Sequence, residues 1–588
     1  MTKKIFNELN AQQNEAINHI DKPSIILAGA GSGKTRVLTF KVRNLIENYK
    51  TSSDNILMIT FTNKAADEMK NRMKFHLGFI GTFHSLCVRI LRIEGEHIGV
   101  DNKFVIYDSN DSVDLMKDVI KELELPKRFS PNFLLNKISG AKNQLLNWKQ
   151  YKELSGSDLT NEMAARAYEK YQKKLEKNKA LDFDDLIFKT VELFSKNERI
   201  LNKYQDKFRY VLVDEFQDTN FAQYQLTKLL ASKYKLLTVV GDFSQSIYSW
   251  RGAEIQNLEK LKTDFPDIKT FYLEENYRST QNILDFAFEV ISKNSTHPVL
   301  KLFTENKQGE EVSIKELSNE QYEALFVADE TERILRNDPD VSVGVLYRIN
   351  AQSRVIEEAF LQLGIPYILV GGTRFYERKE IKDLLSYIRL IINPLDELSL
   401  KRTIKIGKRR FDSFRNLYES IKDSYQQINT IELIDKILET TKYLDIYTED
   451  DPDDLSRIEN IKELRTVAEN FAEVDKFLDQ VALVESEYSN QEKVKKGDGK
   501  GVQLMTLHQA KGLEFDNVFI VGLEEGILPH SRSLYDLMEL EEERRLFYVG
   551  ITRARHKLYL THVRRRFFFG SRSENAKSRF IQKNDLEF

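Results

Sequence analysis

In Ser24-Ile-Ile-Leu-Ala-Gly-Ala-Gly-Ser-Gly-Lys-Thr35 an apolar run passes into a glycine-rich turn that ends on Lys-Thr, and Arg36-Val-Leu-Thr39 continues as a helix. A buried strand, a loop rich in backbone N–H groups and a helix N-terminus together make a cradle for phosphate oxygens, because amides and helix dipole both favour negative charge. Residues Ala28, Gly29, Ala30, Gly31, Ser32, Gly33, Lys34, Thr35 and Arg36 form the candidate nucleotide segment. Lys34 is expected at the β- and γ-phosphates of ATP and the Thr35 hydroxyl on Mg²⁺. Ala28 stands where the strict pattern has glycine, and Gly29 beside it supplies similar freedom.

Such a loop needs an acidic partner at the end of another strand. Tyr210-Val-Leu-Val-Asp214-Glu215-Phe-Gln-Asp218 provides one. The apolar run would carry Asp214 to the sheet edge as a Mg²⁺ ligand, with Glu215 orienting or deprotonating the attacking water. Hydrolysis also needs positive charge where the γ-phosphoryl group becomes more negative, and an arginine there contributes about 10³–10⁵ in rate. Arg278 in Asn276-Tyr-Arg-Ser279 and Arg553 in Thr552-Arg-Ala554 are candidates, although either could equally be a surface ion pair.

Outward from these motifs, two regions read as parallel-sheet α/β, with short apolar runs ending in polar residues. The first holds residues 24–28, 56–61, 210–213 and 236–240. The second holds 341–347, 367–370, 502–506, 518–522 and 558–561. Charged segments with helical periodicity interrupt both. The expected organisation is an α/β chain with two P-loop-type parallel-sheet cores. The first core spans 1–85 and 180–275, with a mostly helical insertion at 86–179. The second spans 276–376 and 498–588, with a helical insertion at 377–497. At 588 residues, a prior of roughly 100–200 residues per domain gives the same four pieces.

Composition is that of a globular protein, 41% hydrophobic and 30% charged. No run reaches the roughly 18–20 apolar residues that cross a bilayer, so no membrane association is expected. The N-terminus carries no apolar signal segment. The single Cys87 excludes an intramolecular disulfide and fits a reducing, cytoplasmic setting; its apolar neighbours Leu86, Val88 and Ile90 predict a buried thiol. A net charge of −3 means that any nucleic-acid path is a local stripe. Lys401–Arg410 and Arg564-Arg-Arg566 are basic clusters, each of which could equally be a solvated face.

The ordered motifs resemble those of the UvrD/Rep/PcrA helicases of superfamily I, from Leu9 to Arg555. That resemblance implies two RecA-like cores with ATP hydrolysed in the cleft between them. It implies that Gln13 in Leu9–Ala16 reads the adenine and that Gln245 in Gly241–Ala253 senses the γ-phosphate. Tyr277 would stack on adenine, Arg278 would touch the γ-phosphate, Glu514 in Thr506–Phe515 would contact ribose, and Arg553 would be the second arginine finger.

The same resemblance implies 3′→5′ movement on single-stranded DNA and unwinding at junctions of single and double strands, in repair or replication restart with unidentified protein partners. Stacking of bases on aromatic rings, about 1–3 kcal/mol each, suits a sequence-blind track. Trp250, one of two tryptophans, lies with Tyr248 and Arg251 in a polar loop five residues after Gln245. Phe61, Thr62 and Asn63 at one strand end, and Thr82 and His84 in Gly81–Ser85, resemble the family's DNA contacts. Arg348 would meet a DNA phosphate, and His508 would link the nucleotide and DNA sites. No Cys or His stands at ligand spacing from His84. Ser244 replaces the usual Asp, and no Gly-Ile-Gly hairpin is found near Lys401–Arg410. A translocase that strips proteins from single strands, a helicase–nuclease subunit and a non-motor ATPase are the competing readings. The short stretch after Arg555 disfavours the nuclease.

Overall fold

The structure, a computed structural model, describes residues 8–73, 76–126, 128–156, 158–449, 451–491, 501–568 and 571–582. The chain divides into two compact units, 1–278 with 291–306 and 279–290 with 307–588.

The first unit is built on six parallel strands: β1 (Ser24–Ala28), β2 (Ile56–Thr60), β3 (Phe79–Thr82), β4 (Tyr210–Val213), β5 (Leu236–Gly241) and β6 (Lys269–Leu273). They lie in the order β3-β2-β4-β5-β1-β6. β1 and β2 are buried along their whole length, which is why they read as unbroken apolar runs. The order places β5 between β1 and β4, so the residues after β5 emerge between the phosphate loop and Asp214. The chain leaves β1 on one side and returns through β6 on the other, and such a reversal opens a crevice at the strands' carboxyl ends.

Helix Phe83–Glu94, inside the segment expected as insertion, packs Phe83, Leu86, Cys87 and Ile90 into the same core as Ile25, Leu57 and Val211. The helical insertion begins later, beyond the two-residue parallel pairing of Val105–Ile106 with Ala180–Leu181. Its helices 109–122, 131–143, 148–154 and 159–177 close around their own core of Met116, Leu134, Ile138, Tyr168 and Tyr171.

The second unit repeats the scheme with β7 (Ser313–Leu317), β8 (Ser342–Tyr347), β9 (Tyr367–Leu369), β10 (Gly501–Thr506), β11 (Phe515–Ile520) and β12 (Ala554–Val563). The order is β9-β10-β8-β11-β12-β7, again all parallel. Both sheets are RecA-like in this sense. Six helices between Lys379 and Gln491 form a separate core around Leu385, Ile388, Leu433 and Phe477. Among them 397–406 and 408–421 meet at Gly407, whose φ of 154° suits glycine and breaks the helix inside the Lys401–Arg410 cluster. The second basic cluster divides: Arg564 and Arg565 are exposed, whereas Arg566 is buried against Glu323 and Glu524 at 2.7 and 2.6 Å.

The expected border after 275 falls early. Residues 276–278 remain with the first unit, because the Asn276 amide donates to Phe303 O (2.7 Å) and its side chain to Ala30 O (2.6 Å). Among the described residues no helix is long and apolar enough to cross a membrane.

Candidate nucleotide and DNA sites

The phosphate loop leaves β1 and turns through Gly31 and Gly33, both at positive φ (66° and 85°). Gly33 caps helix Lys34–Glu47, and no side chain bonds the helix's first amides. Those N–H groups therefore face outward as an anion site. Ser32 Oγ donates to Gly29 O (2.8 Å), and Gln13 Nε2 donates to Ser32 O (3.0 Å). Gln13 is thus buried against the loop itself, and its Oε1 accepts from the Asn10 amide.

At the end of β4, Asp214 is 3% exposed, and its Oδ1 has no hydrogen-bond partner. Burial, then the neighbouring Glu215 charge, pushes its carboxyl up to about 7, partly offset by Lys34. Glu215 adopts φ 49°, ψ 40°, a left-handed conformation that costs a non-glycine residue on the order of 1 kcal/mol or more. This turn brings Glu215 Oε2 to 3.9 Å from Lys34 Nζ. Gln217 Nε2 donates to Glu215 (2.5 Å), and Gln217 Oε1 accepts from the Asp242 amide (3.1 Å). Gln245 Nε2 donates to Asp242 Oδ2 (2.6 Å), and burial raises the Asp242 carboxyl despite Lys34. Lys34, Asp214, Glu215 and Gln245 therefore belong to one linked group, as the strand order requires. Gln217 and Asp242 are members that sequence reading did not single out.

An orphaned, buried carboxylate oxygen held near neutrality is the kind of ligand that a divalent cation would complete. Thr35 lies in the first turn of the adjoining helix, partly exposed. Among the described residues no cage of three or more acidic, His or Cys side chains exists. Asp214 and Thr35 suit Mg²⁺ that keeps waters and phosphate oxygens in its shell.

At the outer end of the loop, the Tyr277 amide donates to Gly31 O (3.0 Å), and Asn10 Nδ2 donates to Tyr277 Oη (2.9 Å) and Glu275 (2.7 Å). The Tyr277 ring is 46% exposed beside this network. Arg278, expected on the second core, packs with the first: a Cβ built on Gly31 would stand 2.9 Å from Arg278 Cβ. Arg36 donates to Glu8 O at 2.8 Å.

Pairing of β2 with β3, Ile59 opposite Gly81 and Thr60 opposite Thr82, sets the two DNA-motif segments side by side. Phe61 lies edge-on to Phe83 (5.8 Å), Thr62 caps helix 63–72, and Asn63 is exposed. Thr82 caps helix 83–94, and His84 lies edge-on to Phe183 at 5.7 Å, its pKa lowered by burial. Trp250 is 52% exposed on a short turn, with the Arg251 guanidinium 4.5 Å from its ring centroid and Tyr248 at 6.5 Å.

In the second unit Arg553 is 2% exposed, donating to Val549 O (2.9 Å) and Leu513 O (3.1 Å). Glu514 pairs with Arg555, and His508 is partly exposed after β10. Arg348, expected at a DNA phosphate, is bidentate to Glu543 (3.0 and 2.7 Å) in the DNA-free chain. Those bonds use Nε and Nη2 and balance the buried Glu543 carboxylate.

The family model for the UvrD/REP helicase N-terminal domain matches residues 9–266, and that for the UvrD-like helicase C-terminal domain matches 271–451 and 416–565. The chain is 42% identical, over 639 aligned positions, to the ATP-dependent DNA helicase PcrA of Bacillus subtilis (strain 168), covering 99% of this chain and 86% of that one. It is 41% identical over 632 positions to the proteins of the same name in Staphylococcus epidermidis (strain RP62A) and Staphylococcus aureus (strain NCTC 8325), covering 98% of this chain and 86% of each.

Proposed function

The chain belongs to the UvrD/REP helicase family, and from that membership we infer that it is an ATP-dependent DNA helicase that moves 3′→5′ along single-stranded DNA. The observation that carries the reading is the linked group Lys34–Glu215–Gln217–Asp242–Gln245, which ends five residues before an exposed tryptophan. A group that reads the terminal phosphate thus shares a short loop with a group that can stack on a base.

The residues divide the work as follows. The amides of residues 31–35 hold phosphate oxygens, and Lys34 neutralises the β- and γ-phosphates. Asp214 and Thr35 would hold Mg²⁺, which would supply charge neutralisation at those oxygens. Glu215, fixed by Gln217, orients the attacking water. Gln13 with Asn10 and Tyr277 forms the adenine end, and Arg278 beside Gly31 answers the γ-phosphate. Arg553 and Glu514 of the second unit are assigned to the γ-phosphate and the ribose by resemblance.

On the DNA side, Phe61–Asn63 and Thr82–His84 form one stretch of the track, and Trp250 with Tyr248 and Arg251 forms the stacking element. His508 is assigned to the link between the two sites. Junctions of single and double strands are the proposed substrates, in a cytoplasmic repair or replication setting with further protein partners.

ATP hydrolysis measured with and without single-stranded DNA, alongside unwinding of duplexes with 3′ or 5′ tails, tests the reading. DNA should stimulate turnover, and only the 3′-tailed duplex should open. Hydrolysis indifferent to DNA would overturn the reading, and opening of the 5′-tailed duplex alone would reverse the polarity.

A further inference from the structure

We infer that Asn143, the last residue of helix Pro131–Asn143 in the first insertion, is a positioning residue that ties the loop bearing Trp250 to the loop following Asp214. Through it the insertion takes part in coupling hydrolysis to the DNA strand. The inference rests on the function proposed above.

The end of this helix is unusually well fixed. Lys142 is 1% exposed and pairs with Asp182 (2.7 Å) and Asp185 (2.9 Å), two residues at the start of helix Phe183–Lys196. The next two residues of the chain reach two different loops. Asn143 Oδ1 accepts from Asn220 Nδ2 at 2.7 Å. Asn220 lies two residues beyond Asp218 and caps the helix that follows by accepting from the Gln223 amide at 2.8 Å. Gln144 Nε2 donates to the Glu254 carboxylate, just past the Trp250 turn, and the Glu254 amide donates to Thr219 O at 3.0 Å.

Gly252 closes this frame. It ends the Trp250 turn at φ 85°, and a Cβ placed there would stand 3.5 Å from Asn143 Nδ2 and 3.7 Å from Asn220 Cβ. The Trp250 turn is thus held against both Asn143 and the segment that begins at Asp214. A shift of residues 214–220 on changing the nucleotide would move Asn220 against Asn143, which Lys142 holds in place, and the Glu254 amide on Thr219 O carries the shift to the Trp250 turn. The indole then moves relative to an insertion that stays in place. Without the bond, the two loops lose their common reference.

The bond to Asn220 requires only an acceptor at position 143, so Asn143→Asp keeps that contact, giving up the long 3.5 Å bond from Asn143 Nδ2 to Ser139 Oγ, and Asn143→Leu removes both. The full chain is assayed for ATPase with and without oligo-dT, beside wild type. Asn143→Leu should keep basal turnover within about twofold and raise the oligo-dT concentration for half-stimulation about five- to tenfold, the scale of one lost side-chain hydrogen bond. Asn143→Asp should restore it. Should Asn143→Leu fail to fold, Gln144→Met, which removes the insertion's bond to Glu254 and leaves Glu254 on Lys260 (2.7 Å), tests the neighbouring tie to the Trp250 turn and should raise the half-stimulating oligo-dT concentration in the same direction. The inference is overturned if the leucine variant matches wild type, if basal and stimulated rates fall together, or if the aspartate variant behaves like leucine. A wild type that oligo-dT does not stimulate overturns the proposed function, and this inference with it.

Discussion

Lys34 Nζ stands 3.9 Å from Glu215 Oε2, at the outer limit of an ion pair, and Asp214 and Asp242 both feel its charge. One ammonium therefore serves three carboxyl groups in a site meant for a fourth anion.

Replacing Lys34 by alanine should reduce ATP turnover by about 10²–10³-fold or more, the usual cost of removing one preorganised charge from a reacting centre. Single-stranded DNA binding should survive, because the track residues lie on other loops. Steady-state ATPase and fluorescence anisotropy with a labelled oligonucleotide check the two halves. Robust turnover in the variant would remove Lys34 from the phosphate site.

Asp214 gives a pH dependence with a definite sign. Its carboxyl stands at about 7 in the folded chain against an ordinary 3.8. Between those values the folded chain keeps a proton that the unfolded chain has released. The resulting stabilisation is full below about pH 4 and is lost as pH rises through 7. Asn at 214 cannot ionise. In nucleotide-free protein, Asp214→Asn should therefore melt higher than wild type at pH 8, by on the order of a few °C. The gap should close toward pH 5, while Mg²⁺-dependent hydrolysis is lost. Coincident melting curves at pH 8 would contradict the buried, raised carboxyl.

Trp250→Ala should weaken binding to single-stranded DNA by about 1–3 kcal/mol, the range for one stacked base. The ring is 52% exposed, so the thermal midpoint should barely change. Anisotropy titrations beside a melt separate the two effects. A marked loss of stability with unchanged DNA affinity would make the ring structural.

Lys142 is a stability prediction. Burial alone would discharge it, but Asp182 and Asp185 hold its pKa well above the ordinary value. Lys142→Met leaves two carboxylates without their cation and should cost about 3–5 kcal/mol. Adding Asp185→Asn should recover part of that. Urea midpoints of the single and double variants measure it, and an unchanged midpoint in Lys142→Met would show that the pair carries no net stability.

The central strands were legible because burial on both faces leaves an apolar run in the sequence, as in Ser24–Ala28 and Tyr210–Val213. Phe79–Thr82, Lys269–Leu273 and Ser313–Leu317 escaped notice as strands because each has partly or fully exposed positions and reads as mixed polarity. In the site, Lys34 and Asp214 carried local signals, a loop pattern and an acid after a strand. Gln217 and Asn276 did not, because they act on Asp242 and Ala30, 25 and 246 residues away. The ion pair of Arg348 was not legible for the same reason: its partner Glu543 is 195 residues distant.

Parallel strands have one further effect. Helices 34–47, 63–72 and 83–94 each follow a strand of the same sheet and so start from the same rim. A rim made of helix beginnings adds partial positive charge to that of Lys34 and Lys64, which stand in the first turns of two of them. In a protein of net charge −3 such a rim is a local positive feature. The salt dependence of DNA binding then counts only the basic side chains that meet DNA phosphates, not these helix ends.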